Sequence, residues 1–170
     1  KLLKNKKIII ADKEIREFPK LKKIIKRKKL ILKTIDENNF INLKQFSLIG
    51  KFQVKNLTMA LLAAKISGLS IKKINSVLSY IKSVNGRLEL IRILSNQTKI
   101  FIDYAHTPHA LETALQSLKD HFKNNISLVF GCGGERDKKK RGVMARIASK
   151  FCTKIYVTDD NPRNENPKKI

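Results

Sequence analysis

The sequence predicts an α/β fold, in which a parallel sheet with covering helices follows a first half of mixed strand and helix. Two observations predict it. Downstream of Asn85-Gly86, apolar runs of strand length alternate with segments of helical periodicity, a βαβαβ order that implies parallel strands joined by crossover helices. Three polar clusters also stand one after each predicted strand, at the carboxyl ends where sheets of this kind bind ligands.

In chain order, Lys7–Ala11 reads as a strand, and 14–27 as a helix broken or bent near Pro19. Lys29–Thr34 reads as a second strand and Phe46–Ile49 as a third. The Ala/Leu-rich run from Asn56 to Ala64 has high helix propensity, with Asn56 as its N-cap and Gly68 as its end. Ser70 caps a further helix in which Ile71, Ile74, Val77, Leu78 and Ile81 recur at helical spacing. Asn85-Gly86 is a turn and marks a domain boundary, giving expected domains 1–85 and 86–170. Beyond it the pattern predicts strands over Lys99–Asp103, Ser127–Phe130 and Lys154–Thr158, with helices over Pro108–Phe122 and Lys138–Phe151.

Composition narrows the function classes. The formal net charge of +23 invites a polyanion partner. However, the lysines are spread along the whole chain, and only 6% of residues are aromatic, none of them Trp, so base-stacking platforms are scarce. Compositional drift towards Lys, Ile and Asn explains the charge better than nucleic-acid binding does. Cys132 and Cys152 have neither disulfide-framework nor metal-ligand spacing, and reduced thiols in a cytoplasmic protein are expected. The basic start and Ile8-Ile9-Ile10-Ala11 imitate a signal peptide, but Asp12 and Lys13 break the apolar run too early; no membrane insertion is expected. The chain begins at Lys1 and ends on Ile170, directly after Pro167-Lys168-Lys169, so a segment of a longer protein is expected.

Each cluster has a chemical reading and a plain one. In Asp103-Tyr104-Ala105-His106-Thr107-Pro108, capping of the next helix by Asp103 or Thr107 beside a solvated His106 explains the turn as well as a ligand contact does. The glycines of Gly131–Asp137 let backbone N–H groups approach an anion at a helix start, but no P-loop pattern occurs. Lys138–Arg141 reads first as a solvated basic face, whereas Arg136 sits where a guanidinium grips a carboxylate. Asp159-Asp160-Asn161-Pro162-Arg163 combines acids for an ammonium with Asn and Arg for a carboxylate, a set that reads a zwitterion or makes a polar turn. Gly86-Arg87-Leu88-Glu89 puts an Arg at the boundary, where it reaches a ligand in a cleft or forms a surface turn.

Taken together, Asp103–Pro108, Val129–Gly134, Arg136-Asp137 with Lys140-Arg141, and Asp160–Arg163, in this order and spacing, resemble the Mur ligase family. The similarity runs from about Phe46 to Ile170. It implies a Rossmann-like C-terminal domain preceded by the end of the family's central ATPase domain. It also implies an ATP-dependent ligase that adds meso-diaminopimelate to UDP-MurNAc-L-Ala-D-Glu through an acyl phosphate in peptidoglycan synthesis. By resemblance, Arg136, Asp160, Asn161, Pro162 and Arg163 match the amino-acid site, and Asn56, Arg87, Asp103 and His106 match positions near ATP. The magnesium ligands, the phosphate loop and the catalytic carbamylated lysine are expected upstream, so no catalytic or metal-binding residue is assigned here. The segment alone is expected to lack ligase activity. The expected partners are the two substrates, with no nucleic acid, and a monomer is the expected state. Glu135, His109 and Gly142 depart from the family's usual Asp, Asp and Pro. The alternatives are a related ligase of the Mur or folylpolyglutamate type with another amino-acid substrate, and a basic nucleic-acid-binding module.

Overall fold

The computed structural model describes residues 7–35 and 48–170, in two compact units, 1–82 and 83–170. In the first unit, Ile8–Asp12 (β1) pairs in parallel with Ile31–Ile35 (β2), Ile8 opposite Ile31 and Asp12 opposite Ile35. Between them runs the helix Phe18–Arg27 (α1). Pro19 does not bend it. The helix starts only at Phe18, and Pro19 occupies the first turn, where its missing N–H costs no intrahelical bond. Lys29, at φ 50°, turns the chain into β2.

The helix Lys51–Ile66 (α2) corrects the expected N-terminus. Gly50, at φ 93°, is the N-cap, and Asn56 lies inside the helix rather than at its start. A residue at that φ favours glycine, and this starts the helix ahead of the Ala/Leu run. The buried Gln53 side chain donates to the Ile49 carbonyl (3.1 Å). Of the expected strand Phe46–Ile49, Phe46 and Ser47 lie outside the described residues, and Leu48 and Ile49 are not extended ladder. At the other end of α2, Gly68 at φ 92° donates to Lys65 O and Leu69 to Ala64 O, the paired bonds of a Schellman stop. Ser70 caps Ile71–Leu78 (α3) by accepting from Lys73 N at 3.3 Å. Of the apolar stripe expected there, Ile74 is buried while Ile71 and Val77 are exposed, and Ile81 lies beyond the helix. On β1, Asp12 is 8% exposed and meets Lys55 Nζ at 2.7 Å; burial pushes its pKa up, but the bonds from Lys55 and the Glu14 N–H bring it below its ordinary value.

The second unit begins with a hairpin that the sequence reading omitted. Glu89–Ile93 (β3) pairs antiparallel with Lys99–Ile102 (β4), with a bulge at Ile91. The turn is closed by Leu94 N donating to Thr98 O (2.9 Å) and Thr98 N to Asn96 Oδ1 (3.1 Å). Thr107 then caps Pro108–Phe122 (α4) by accepting from Ala110 N. Ser127–Phe130 (β5), Lys139–Phe151 (α5) and Lys154–Val157 (β6) complete a βαβ unit whose strands pair in parallel, Ser127 opposite Lys154 and Phe130 opposite Val157. The expected three-stranded parallel ladder is therefore only partly formed. Among the described residues β4 takes its hydrogen bonds from β3, because a tight turn supplies a neighbour within a few residues. Helices α4 and α5 pack together, and their core of Leu111, Leu115, Met144 and Phe151 rests against Leu128 and Phe130 of β5. Among the described residues no helix is long and apolar enough to cross a membrane.

Candidate functional site

At the carboxyl ends of β5 and β6, the glycine cluster and the Asp160–Arg163 cluster are packed into one body. Gly134 N donates to Asn161 O at 2.9 Å, and Arg163 Nη1 donates to Gly134 O at 2.6 Å and to Asn161 O at 3.4 Å. Asn161 Oδ1 accepts from Arg163 N at 3.3 Å, closing a turn in which Arg163 sits at φ 51°. The approach is close enough to require glycine. A Cβ on Gly134 would lie 1.9 Å from Pro162 O, and one on Gly131 would lie 2.3 Å from Thr158 O. A cleft of about 320 Å³ opens beside these loops, lined by Phe130, Cys132, Arg141, Asp160 and Pro162 among others.

Glu165, which the sequence reading passed over, ties the loops to the start of α5. Its carboxylate accepts two bonds from Arg141 (2.9 and 2.7 Å) and one from Glu135 N (3.0 Å), and lies 3.1 Å from Lys138 Nζ. The Arg141 hydrogen bonds, then the Glu135 N–H, hold this carboxyl well below the usual carboxylate range, while the pair raises Arg141. Lys140 Nζ donates to His106 O at 2.8 Å. Lys138, Lys140 and Arg141 of the basic run are thus engaged with the protein, while Lys139 is exposed. The one sequence signal that could have found Glu165 is an isolated acid ahead of Lys168-Lys169.

The Glu165 arrangement has an acid signature. A carboxylate whose folded-state pKa is depressed adds stability above its ordinary value of 4.5, and that stability is lost as the pH falls below it towards the folded-state pKa. Thermal melts from pH 5 down to pH 2 are therefore expected to fall less steeply for Glu165→Gln than for the unaltered chain. Parallel curves would contradict the pairing.

A second cluster forms where Gly86–Glu89 meets Asp103–His106. Asp103 Oδ2 accepts from Leu88 N (2.9 Å), and Tyr104 N donates to Gly86 O (2.8 Å). Glu89 Oε2 accepts from Gly86 N (2.7 Å). The Arg87 guanidinium lies 5.2 Å from the Tyr104 ring centre, and His106 meets that ring edge-on, with its Nδ1 3.0 Å from Tyr104 O. Asp103 thus holds a turn instead of capping α4, and Thr107 provides the cap.

Of the residues singled out in the sequence, the structure brings together Asp160, Asn161, Pro162 and Arg163 with the glycine loop that carries Arg136, whose side chain is exposed. Arg87, Asp103 and His106 form the second cluster. Asn56 belongs to the other compact unit, exposed on α2. Among the described residues no three His, Cys, Asp or Glu side chains gather as a metal site.

The model of the Mur ligase glutamate ligase domain matches residues 86–170. A Rickettsia typhi protein named UDP-N-acetylmuramoyl-L-alanyl-D-glutamate--2,6-diaminopimelate ligase is 47% identical over 136 residues, covering 78% of this chain and 27% of the relative. A Buchnera aphidicola protein of the same name is 46% identical over 72% of the chain and 24% of its own length. The chain thus spans about a quarter of the length of the curated relatives it matches. A solved structure of a ligase with that name superposes with TM-score 0.54 at 28% identity, covering 96% of this chain and 39% of the other. Folylpolyglutamate synthase from Mycobacterium tuberculosis, solved with ADP and AMPPCP, shares the fold at TM-score 0.67 and 20% identity, over 92% of this chain and 40% of that one. With half of its residues matching the family's domain and strong identity to curated relatives over most of its length, the chain belongs to the Mur ligase family.

Proposed function

We propose that this chain is the amino-acid-binding part of an ATP-dependent ligase that joins meso-diaminopimelate to UDP-MurNAc-L-Ala-D-Glu in peptidoglycan synthesis. Residues 86–170 supply the amino-acid domain, and residues 1–85 the end of the central ATPase domain. The observation that carries the reading is the packing of Asp160–Arg163 onto the glycine loop, which sets Asp160, Asn161 and Arg163 beside the loop bearing Arg136. A zwitterion needs this set: Asp160 for an ammonium, Asn161 and Arg136 or Arg163 for a carboxylate. The relatives that share the chain at 46–47% identity carry the diaminopimelate ligase name, which supports the choice of amino acid.

Arg87, Asp103 and His106, with Asn56, are proposed to face the nucleotide. A guanidinium such as that of Arg87 would stabilise transferring phosphate charge, and Asp103 fixes the turn that carries it. ATP supplies the phosphoryl group that activates the stem carboxylate. The residues of this chain orient the amino acid whose amine attacks.

The test is product mass. The full-length protein is incubated with ATP, UDP-MurNAc-L-Ala-D-Glu and either meso-diaminopimelate, L-lysine or no amino acid. A product carrying diaminopimelate alone is the expected result. A lysine product would overturn the amino-acid assignment, and no product with either would overturn the ligase reading.

A further inference from the structure

We propose that Glu165 and Arg141 are positioning residues, whose ion pair locks the two loops carrying Arg136 and Arg163 in the register that the incoming amino acid needs. The proposal rests on the amino-acid-site reading and goes beyond it, since neither residue is among those assigned to contact the ligand. An exposed ion pair would carry no such weight. Here the side chains of Arg141 and Glu165 are only 12% and 13% exposed, and the fork is bidentate. Both carboxylate oxygens are occupied by donors from the other segment: Arg141, Lys138 and the Glu135 N–H. Glu165 is therefore committed to the protein and is not poised for a substrate ammonium. Both terminal nitrogens of Arg141 are likewise committed to Glu165, whereas Arg163 commits one terminal nitrogen, Nη1, to Gly134 O and Asn161 O.

The bonds also have a direction of action. The Glu135 N–H sits between Gly134, whose carbonyl receives Arg163, and Arg136 itself. Asn164 Nδ2 adds a second tie to Glu135 Oε1 at 3.1 Å. Releasing Glu165 loosens the glycine loop from the segment that follows Arg163, leaving the Asn164 tie, while the core of Leu111, Leu115, Met144 and Phe151 stays intact.

Glu165→Gln is the test, because it keeps the side-chain volume and removes the charge. In the full-length enzyme, the KM for the amino acid is expected to rise about tenfold or more, since small misplacements of a binding group are costly. The KM for ATP and kcat at saturation are expected to change less than about twofold. In the 170-residue chain, exchange of the Gly134 and Glu135 amides is expected to accelerate about tenfold, with the α4 amides unchanged. An unaltered amino-acid KM, a common loss in every substrate, or unaltered exchange would overturn the proposal. Kinetics use whichever amino acid the unaltered enzyme accepts, so a wrong amino-acid assignment is separated from a wrong assignment of Glu165. If no amino acid supports turnover, the exchange measurement decides alone.

Discussion

Gly134→Ala is expected to disable amino-acid binding with little effect on nucleotide binding. The added Cβ would stand 1.9 Å from Pro162 O and 2.7 Å from its carbonyl carbon, both backbone atoms that cannot swing aside as a side-chain tip can. The loops must separate, and the Gly134–Asn161 and Arg163–Gly134 bonds go with them. Overpacking of this kind costs about 1–3 kcal/mol of stability. The displacement of Arg163 is expected to raise the amino-acid KM on the order of a hundredfold. Gly142→Ala is the control. Its Cβ would meet nothing closer than Arg146 Nη1 at 3.8 Å inside α5, so a gain of about 0.5–1 kcal/mol is expected from helix propensity. Steady-state kinetics and thermal melts of the two variants check both statements. Equal behaviour would mean that the two loops are not held together as described.

Asp103→Ala is expected to lower stability by about 1–3 kcal/mol, because a buried backbone donor loses its partner. Leu88 is 2% exposed and sits at φ 45°, a conformation that leucine adopts only when held, and the Asp103 carboxylate takes its N–H. Arg87 is the preceding residue, so its placement over Tyr104 depends on the same bond. Asp103→Asn keeps an acceptor oxygen and is expected to lose less than about 1 kcal/mol. In the full-length enzyme, the Ala variant is also expected to raise the KM for ATP about tenfold. Thermal melts that show Ala and Asn to be equally stable would contradict this role for Asp103.

Much of the second unit was legible because its signals are local. Thr107-Pro108 announces a helix start through one hydroxyl and one fixed φ, and α4 begins there. The short apolar run Ser127–Phe130 is bounded by polar residues and a glycine, and it is a strand. What was missed depends on partners distant in sequence or on backbone angles. The Glu165–Arg141 pair spans 24 residues, and neither residue's type announces the other. The start of α2 was misplaced because Asn56 looks like a cap, whereas Gly50 starts the helix through its φ, with no side-chain bond at all. β3 was less legible because its short run Leu90-Ile91-Arg92-Ile93 directly follows the boundary turn and finds its partner only in the antiparallel strand Lys99–Ile102. In the site itself, residue types pointed to Arg163 and Asn161, but not to the bonds of the Arg163 guanidinium, since those go to the main-chain oxygens of Gly134 and Asn161.

Arg163→Ala in the full-length enzyme tests whether the Asp160–Arg163 loop of this chain holds the incoming amino acid. Initial rates of phosphate release are measured against meso-diaminopimelate and against ATP. Loss of a charge-assisted contact to a ligand carboxylate is expected to raise the diaminopimelate KM on the order of a hundredfold while the KM for ATP stays within about twofold. An unchanged diaminopimelate KM would contradict the account, as would an equal loss against both substrates.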